Sequence, residues 1–274
     1  MNLVPSNQKI LHGFNNEFKE LVALYKKKKL PQKILLSGQK GSGKCTLAYH
    51  LTNFILSEDE DFEYDLKNYT INDNNRSYRL IQNKSNPNFR LIDVILEKKT
   101  IDILQIKDLI LSLQKSSFNS KPRIILIDNI EYLNHNSINA LLKILEEPLG
   151  NTFFMLIHNN KRILPTLKSR CLNFKLNLTN KSSIDISSKI LNENIFDLIN
   201  QDLLDYYITP GKIYKLVAFA RTAKINLKKI NLTDFLNIII DETYYKKDIS
   251  INYMIYDFIE LYLIKNISPK YYSL

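Results

Sequence analysis

Apolar and polar positions along the chain follow two regimes that meet near residue 177. In the first, short runs that are apolar throughout alternate with stretches whose apolar residues recur every three or four positions. The short runs predict strands at 33–36, 89–95, 123–128, 153–157 and 172–174. The periodic stretches predict helices over about 14–29, 43–57, 102–116 and 137–147. Phe14, Phe18, Leu21, Val22 and Tyr25 mark the buried face of the first helix; Ile103, Ile106, Leu109, Ile110 and Leu113 mark that of the third. Asn136 or Ser137 is placed to cap the fourth, whose buried positions are Ile138, Leu141, Leu142 and Leu145, and Pro148 stops it. Strands apolar on both faces, alternating with helices, make a parallel sheet covered on both sides, so the expected class is α/β.

Beyond about Asn177 only helical spacing is left, at roughly 181–192, 195–206, 211–223, 233–246 and 250–265, with Pro210-Gly211-Lys212 breaking and restarting the chain. Three parts are expected: a sheet domain at 1–177, a small helical domain at 178–224 and a short helical segment at 225–274. Residues 58–88 are polar and Asn-rich with no clear periodicity. They read as an excursion from the core, with a short strand near Tyr69-Thr70-Ile71. No internal repeat is found.

Composition narrows the classes. Apolar residues make up 45 % of the chain and charged residues 24 %, the balance of a folded soluble protein. No run of about 18 apolar residues occurs, and the first six residues lack the layout of a signal peptide, so a cytoplasmic protein without a membrane span is expected. Cys45 and Cys171, the only cysteines, neither frame a disulfide scaffold nor make a zinc site. The net charge of +10 has two readings. One is nucleic-acid binding; the other is a chain rich in Lys, Asn, Ile and Tyr encoded by A/T-rich DNA.

The chemistry begins at Ser37-Gly38-Gln39-Lys40-Gly41-Ser42-Gly43-Lys44-Cys45-Thr46, which follows an apolar run and opens into a helix. Strand, G-x-x-x-x-G-K loop and helix together form a phosphate cradle. Gly38, Gly41 and Gly43 let backbone N–H groups turn inward, Ser42 lies among them, the helix N-terminus adds positive dipole, and Lys44 reaches the outer phosphates. The next position normally carries a hydroxyl for Mg²⁺. Here it is Cys45, a soft ligand poorly matched to a hard cation, and Thr46 stands about 100° further round the helix. Arg123-Ile124-Ile125-Leu126-Ile127-Asp128 resembles the second strand of such a site, with Asp128 holding Mg²⁺ through water.

Asn139-Ala140-Leu141-Leu142-Lys143-Ile144-Leu145-Glu146-Glu147-Pro148, followed by Ser169-Arg170-Cys171, resembles the bacterial clamp-loader ATPase family, strongly over 1–177 and in layout beyond. The resemblance implies a RecA-like AAA+ domain, a small helical lid and a helical collar-type segment. Within the family the chain is similar to delta-prime-type subunits rather than to motor subunits of the gamma or tau type. Motors carry Thr or Ser where Cys45 stands, a water-polarising Glu where Asn129 stands, and a four-cysteine zinc module where 58–88 is cysteine-free. Glu131, two residues after Asn129, is expected to point elsewhere on a turn.

The resemblance further implies that Arg170 acts in trans as an arginine finger on a neighbour's ATP, and that Cys171 starts a strand as a small buried residue. A polar phosphate sensor is expected at His158, Asn159 or Asn160. Lys212 is either a second sensor or a surface lysine. The implied role is a subunit not catalytic by itself, within a DNA polymerase III complex, with no required cofactor, possible residual ATP or ADP and no zinc. Its implied partners are motor subunits, a delta subunit, the sliding clamp indirectly, and primer-template DNA through the complex. Two other readings are an active ATPase, with Thr46 replacing Cys45 and another acid serving as base, and an inert DNA-binding scaffold.

Overall fold

The computed structural model describes residues 3–95, 98–114, 119–147, 150–160, 163–247 and 249–266. They form two compact units divided between Asn177 and Leu178. The first contains five strands: β1 (Lys33–Ser37), β2 (Phe89–Ile92), β3 (Arg123–Ile127), β4 (Thr152–His158) and β5 (Leu172–Lys175). All neighbours pair in parallel, in the order β2-β3-β4-β1-β5. The α/β class and parallel sheet read from the apolar runs are therefore found. The covering helices are α1 (Asn15–Lys26), α2 (Lys44–Leu56), α3 (Arg76–Gln82), α4 (Ile103–Gln114), α5 (His135–Glu146) and the four-residue α6 (Pro165–Lys168).

The period of two along each strand sends alternate side chains to opposite layers. Ile125 and Ile127 of β3 and Phe154 and Leu156 of β4 join Ile106 and Leu109 of α4 and Leu141, Ile144 and Leu145 of α5 in one apolar cluster. Met155 of β4 faces the other way, where the Thr52 hydroxyl of α2 meets its sulfur at 3.9 Å. The interior strands are apolar and buried on both faces, whereas β2 and β5 leave residues exposed because each has a sheet neighbour on one side only. β2 also ends at Ile92, so Asp93, read from sequence as the interior of a strand, lies just beyond its end. Asn134 caps α5 by accepting from the Ser137 amide, two or three residues earlier than the expected Asn136 or Ser137. Residues 115–116 of the expected third helix, and Pro148, lie outside the described residues.

The Asn-rich excursion is more ordered than its composition suggests. No strand forms at 69–71, where Thr70 makes only single bridges to Asp65 and Ile10, and α3 appears where no periodicity pointed to it. Asn75 caps α3 by accepting from Tyr78 N at 2.6 Å, and the same oxygen accepts from Asn53 of α2 at 2.8 Å. Side-chain amides thus fasten the segment to the core. His50, fully buried on α2, does the same: its Nε2–H donates to the Gln8 carbonyl at 3.1 Å, which leaves Nδ1 to accept from the Tyr64 hydroxyl at 2.8 Å.

The second unit is helical: α7 (Asn180–Leu191), α8 (Ile195–Leu198), α9 (Pro210–Ala223), α10 (Leu232–Asp241), α11 (Tyr244–Lys247) and α12 (Ile249–Asn266). The single helix expected at 195–206 is instead α8 and a separate turn. Asn194 and Asn200 accept from Phe196 N and Asp202 N, local bonds that compete with helix continuation. Thr243, at φ 54°, divides the expected 233–246 helix into α10 and α11. Residues on both sides of 224, from Ile195 to Leu261, share one apolar cluster, so the two helical parts expected from sequence have a common core.

Burial holds the folded His50 at about 4, against 6.5 for a free imidazole. The unfolded chain therefore binds the extra proton between those values, and stability present above pH 6.5 is lost as pH falls toward 4. The difference between those two values corresponds to a loss on the order of 3 kcal/mol. Denaturant titrations of wild type and His50→Phe at pH 7.5 and 4.5 check this: the difference between the two proteins should shrink markedly at the acid pH.

Candidate functional site

Parallel strands present their C-terminal ends along one edge of the sheet, and ligands of open α/β sheets bind there. That edge gathers residues 38–44 after β1, Asp93 after β2, Asp128 and Asn129 after β3, and Asn159 after β4. The loop after β1 leaves the sheet at Gly38, whose amide donates to the His158 carbonyl at 3.2 Å. A Cβ on Gly38 would lie 2.2 Å from the Leu176 carbonyl oxygen, so no larger residue fits without moving the backbone. Gly43, at φ 98°, starts α2 in a left-handed conformation with no side-chain cap. The first turn of α2 is thus left without a side-chain acceptor, as an anion cradle requires.

Lys44 is buried, with 3 % of its surface exposed, and its ammonium donates to the Gln39 carbonyl at 2.6 Å. Burial lowers its pKa to about 8, opposed by the charges of Asp128 and Glu131. Ser42 is buried beside it, and its hydroxyl has no partner among the described residues.

Cys45, not Thr46, faces the acid across the site. The Cys45 thiol hydrogen-bonds the Asp128 carboxylate, and burial followed by that carboxylate raises its pKa well above the ordinary thiol value. Asp128 is pushed up to about 6, first by burial and then by the charge of Asp93, despite the bonds it accepts from Cys45 and from the Asn129 amide. Cys45, Asp93 and Asp128 share a cavity of ≈ 1020 Å³ with Tyr49, Phe89 and Arg90; Thr46 does not line it. The site thus pairs the Asp128 carboxylate with a neutral S–H.

Asn129 occupies the left-handed region at φ 56° and turns its amide into a chain of polar contacts. Its Nδ2 donates to Asp93 Oδ1 at 2.8 Å, and its Oδ1 accepts from Asn159 Nδ2 at 2.9 Å. The same Asn159 amide donates to Glu131 Oε1 at 2.9 Å. This corrects the expectation that Glu131 points elsewhere: the short turn Ile130–Tyr132 brings its carboxylate back to the ends of β3 and β4, close enough to act on the charge of Lys44. Of the three sensor candidates, Asn159 makes these contacts, and His158 and Asn160 line a separate pocket with Ser37 of β1 and Asn173 and Lys175 of β5. Asp93 carries no signal in the sequence, because it lies in no recognised motif and reaches the site only through the end of β2; Glu131 is visible beside Asn129, but its direction is set by the turn that follows.

Arg170 belongs to the opposite edge of the sheet. It lies in the turn between α6 and β5, ahead of the N-terminal end of β5, whereas Gly38 follows the C-terminal end of β1 beside Leu176. The four residues of β5 alone separate the two edges by roughly 10 Å. Its side chain is 32 % exposed and ion-paired with Glu146, while Nη1 donates to the Thr166 carbonyl at 2.7 Å. Cys171 packs against the apolar cluster, and burial raises its thiol to about 11. Lys212, in the helical unit, is ion-paired with Asp257 of α12.

Comparison with known proteins agrees with this arrangement. The family model described as "DNA polymerase III, delta subunit" matches residues 14–180. The DNA polymerase III subunit delta' of Buchnera aphidicola subsp. Schizaphis graminum is 31 % identical over 68 % of this chain and 56 % of its own length. The gamma subunit of the same organism is 32 % identical over 55 % of this chain and 39 % of its own. The chain spans about half the length of the curated relatives it matches. Among solved structures, the Thermotoga maritima RuvB Holliday junction branch migration motor aligns with 88 % of this chain and 81 % of its own at 15 % identity, with a TM-score of 0.48. No helix among the described residues is long and apolar enough to cross a membrane. A family match over more than half its residues, with delta' relatives about 30 % identical, places the chain among the delta-prime-type clamp-loader subunits of DNA polymerase III.

Proposed function

We propose that the chain is a non-hydrolysing member of a clamp loader, and that Arg170 completes the ATP site of a neighbouring motor subunit of the gamma or tau type. Its other partners would be a delta subunit, the sliding clamp indirectly, and primer-template DNA through the complex, during DNA replication. The observation that carries the reading is the position of Arg170: partly exposed, and on the sheet edge opposite the chain's own phosphate loop. A guanidinium there is remote from its own Lys44 and available to another subunit.

The chemistry assigned to Arg170 is electrostatic. When water attacks the γ-phosphorus and the bond to the bridging oxygen breaks, a fork of fixed positive charge stabilises the charge on the transferring group, an effect worth about 10³–10⁵ in rate. Lys would supply charge without the fork. The chain's own site supports the passive half of the reading, since Cys45 withholds a hard ligand and Asn129 cannot accept a proton. Gly38, Gly41, Ser42, Gly43, Lys44, Cys45, Thr46 and Asp128 retain a cradle in which ATP or ADP would be held by backbone and ammonium groups without turnover.

Glu131 favours a second reading. Its carboxylate is the further acid that an active site would need, and it is bonded to Asn159 at the phosphate-facing edge. A chain that hydrolyses ATP would use Glu131 in place of the residue lost at 129.

Three measurements separate these readings. In a complex reconstituted with motor and delta subunits, Arg170→Ala should lower DNA-stimulated ATP turnover and clamp loading, the site it serves losing on the order of 10³ in rate; unchanged turnover removes the assigned role. The isolated chain with ATP and Mg²⁺ should show no turnover, and turnover that disappears in both Lys44→Ala and Glu131→Gln would establish the second reading instead. Calorimetric titration with ATP should give the same affinity with Mg²⁺ and with EDTA, because Cys45 offers the ion no hydroxyl; a clear gain with Mg²⁺ would show that Thr46 is recruited.

A further inference from the structure

Glu146 is the last residue of α5. A carboxylate there faces the negative end of the helix dipole, an unfavourable place for an acid. Its side chain is 54 % exposed, and ion pairs so open to water add little stability. Neither local propensity nor stability accounts for it, yet its contact is well defined. Arg170 Nε donates to Glu146 Oε1 at 2.9 Å, and Nη2 donates to the same oxygen. Nη1 donates to the Thr166 carbonyl, which also accepts the Ser169 hydroxyl at 3.1 Å. A guanidinium has five N–H donors, so among the described residues three are engaged and two are left over.

Both anchors are fixed from below. Ile144 and Leu145, just before Glu146, and Leu167 of α6 belong to the same buried cluster. A long, flexible side chain is thereby held by a rigid helix end and a rigid turn. The rotamer freedom that an arginine normally loses on meeting a phosphate has been removed beforehand.

We infer that Glu146 is a positioning residue: it holds the Arg170 guanidinium so that its two remaining N–H groups are presented to a phosphate on another subunit. The inference rests on the finger reading of Arg170, which it extends to a second residue. Glu146 touches no nucleotide and acts only through Arg170. Its effect must therefore be confined to the step in which the finger is used, and must vanish when the finger is absent.

The test uses the reconstituted complex with motor and delta subunits, reading DNA-stimulated ATP turnover. Glu146→Gln should lower kcat about three- to tenfold, less than Arg170→Ala, with KM for ATP unchanged, since misplacement of a catalytic group acts in the transition state. Glu147→Gln makes the same charge change one residue on, at a side chain with no ion pair among the described residues, and should have no effect. The double variant Arg170→Ala/Glu146→Gln should be no slower than Arg170→Ala alone. If Arg170→Ala itself leaves turnover unchanged, the finger reading and this one fail together. If Arg170→Ala is slow while Glu146→Gln matches wild type or is faster, or if the two losses multiply in the double variant, the positioning role alone is overturned.

Discussion

The contact between Gly38 and the backbone at Leu176 sets the geometry of the whole first unit. It joins the departure of the phosphate loop to the chain leaving β5, with a separation that admits no Cβ. Because β1 and β5 run parallel in the register Ile34 with Leu172 and Ser37 with Lys175, the same pairing determines where β5 begins as well as where it ends. The glycine loop after β1 and the turn that carries Arg170 are therefore at opposite ends of one packed strand pair. Neither can shift along the strand without breaking the ladder or driving Gly38 into a carbonyl.

That constraint has a chemical consequence. A parallel sheet has two unlike edges, one where strands end and helices begin, the other where helices end and strands begin. The first suits anions, because N–H groups point out of it; the second has no such excess, and a cation there meets helix C-termini. Lys44 and the glycines occupy the first edge, Arg170 and Glu146 the second. The two cationic groups are thus separated by construction.

Much of this was readable before any coordinates. Interior strands such as Ile124–Ile127 announce themselves because burial on both faces leaves no polar position, and the loop from Gly38 to Lys44 does so because phosphate binding needs glycine at fixed spacing. The failures share a cause. Asn75, Asn134, Asn194 and Asn200 set element boundaries by accepting local backbone N–H groups, and in a chain so rich in Asn such caps cannot be told from ordinary loop residues. Glu131 was misjudged for a related reason. Its direction depends on a left-handed Asn129 followed by one tight turn, a backbone detail with no periodic signature. Glu146 was quoted as part of a motif, yet its partner lies 24 residues on and could be found only once α5 and α6 were packed together.

The altered site is better described as rewired than as empty. Removing a hydroxyl and a carboxylate from a buried polar cluster would leave orphaned groups, each costly in a low-dielectric setting. Instead Asp128 is met by the Cys45 thiol, and the amide at 129 links Asp93 to Asn159, which in turn engages Glu131. Cys45 and Asn129 are thus each hydrogen-bonded within the cluster. Two carboxylates, Asp93 and Asp128, stand close enough for the charge of one to raise the pKa of the other, and the Cys45 thiol, the Asn129 amide and the Lys44 ammonium stand around them.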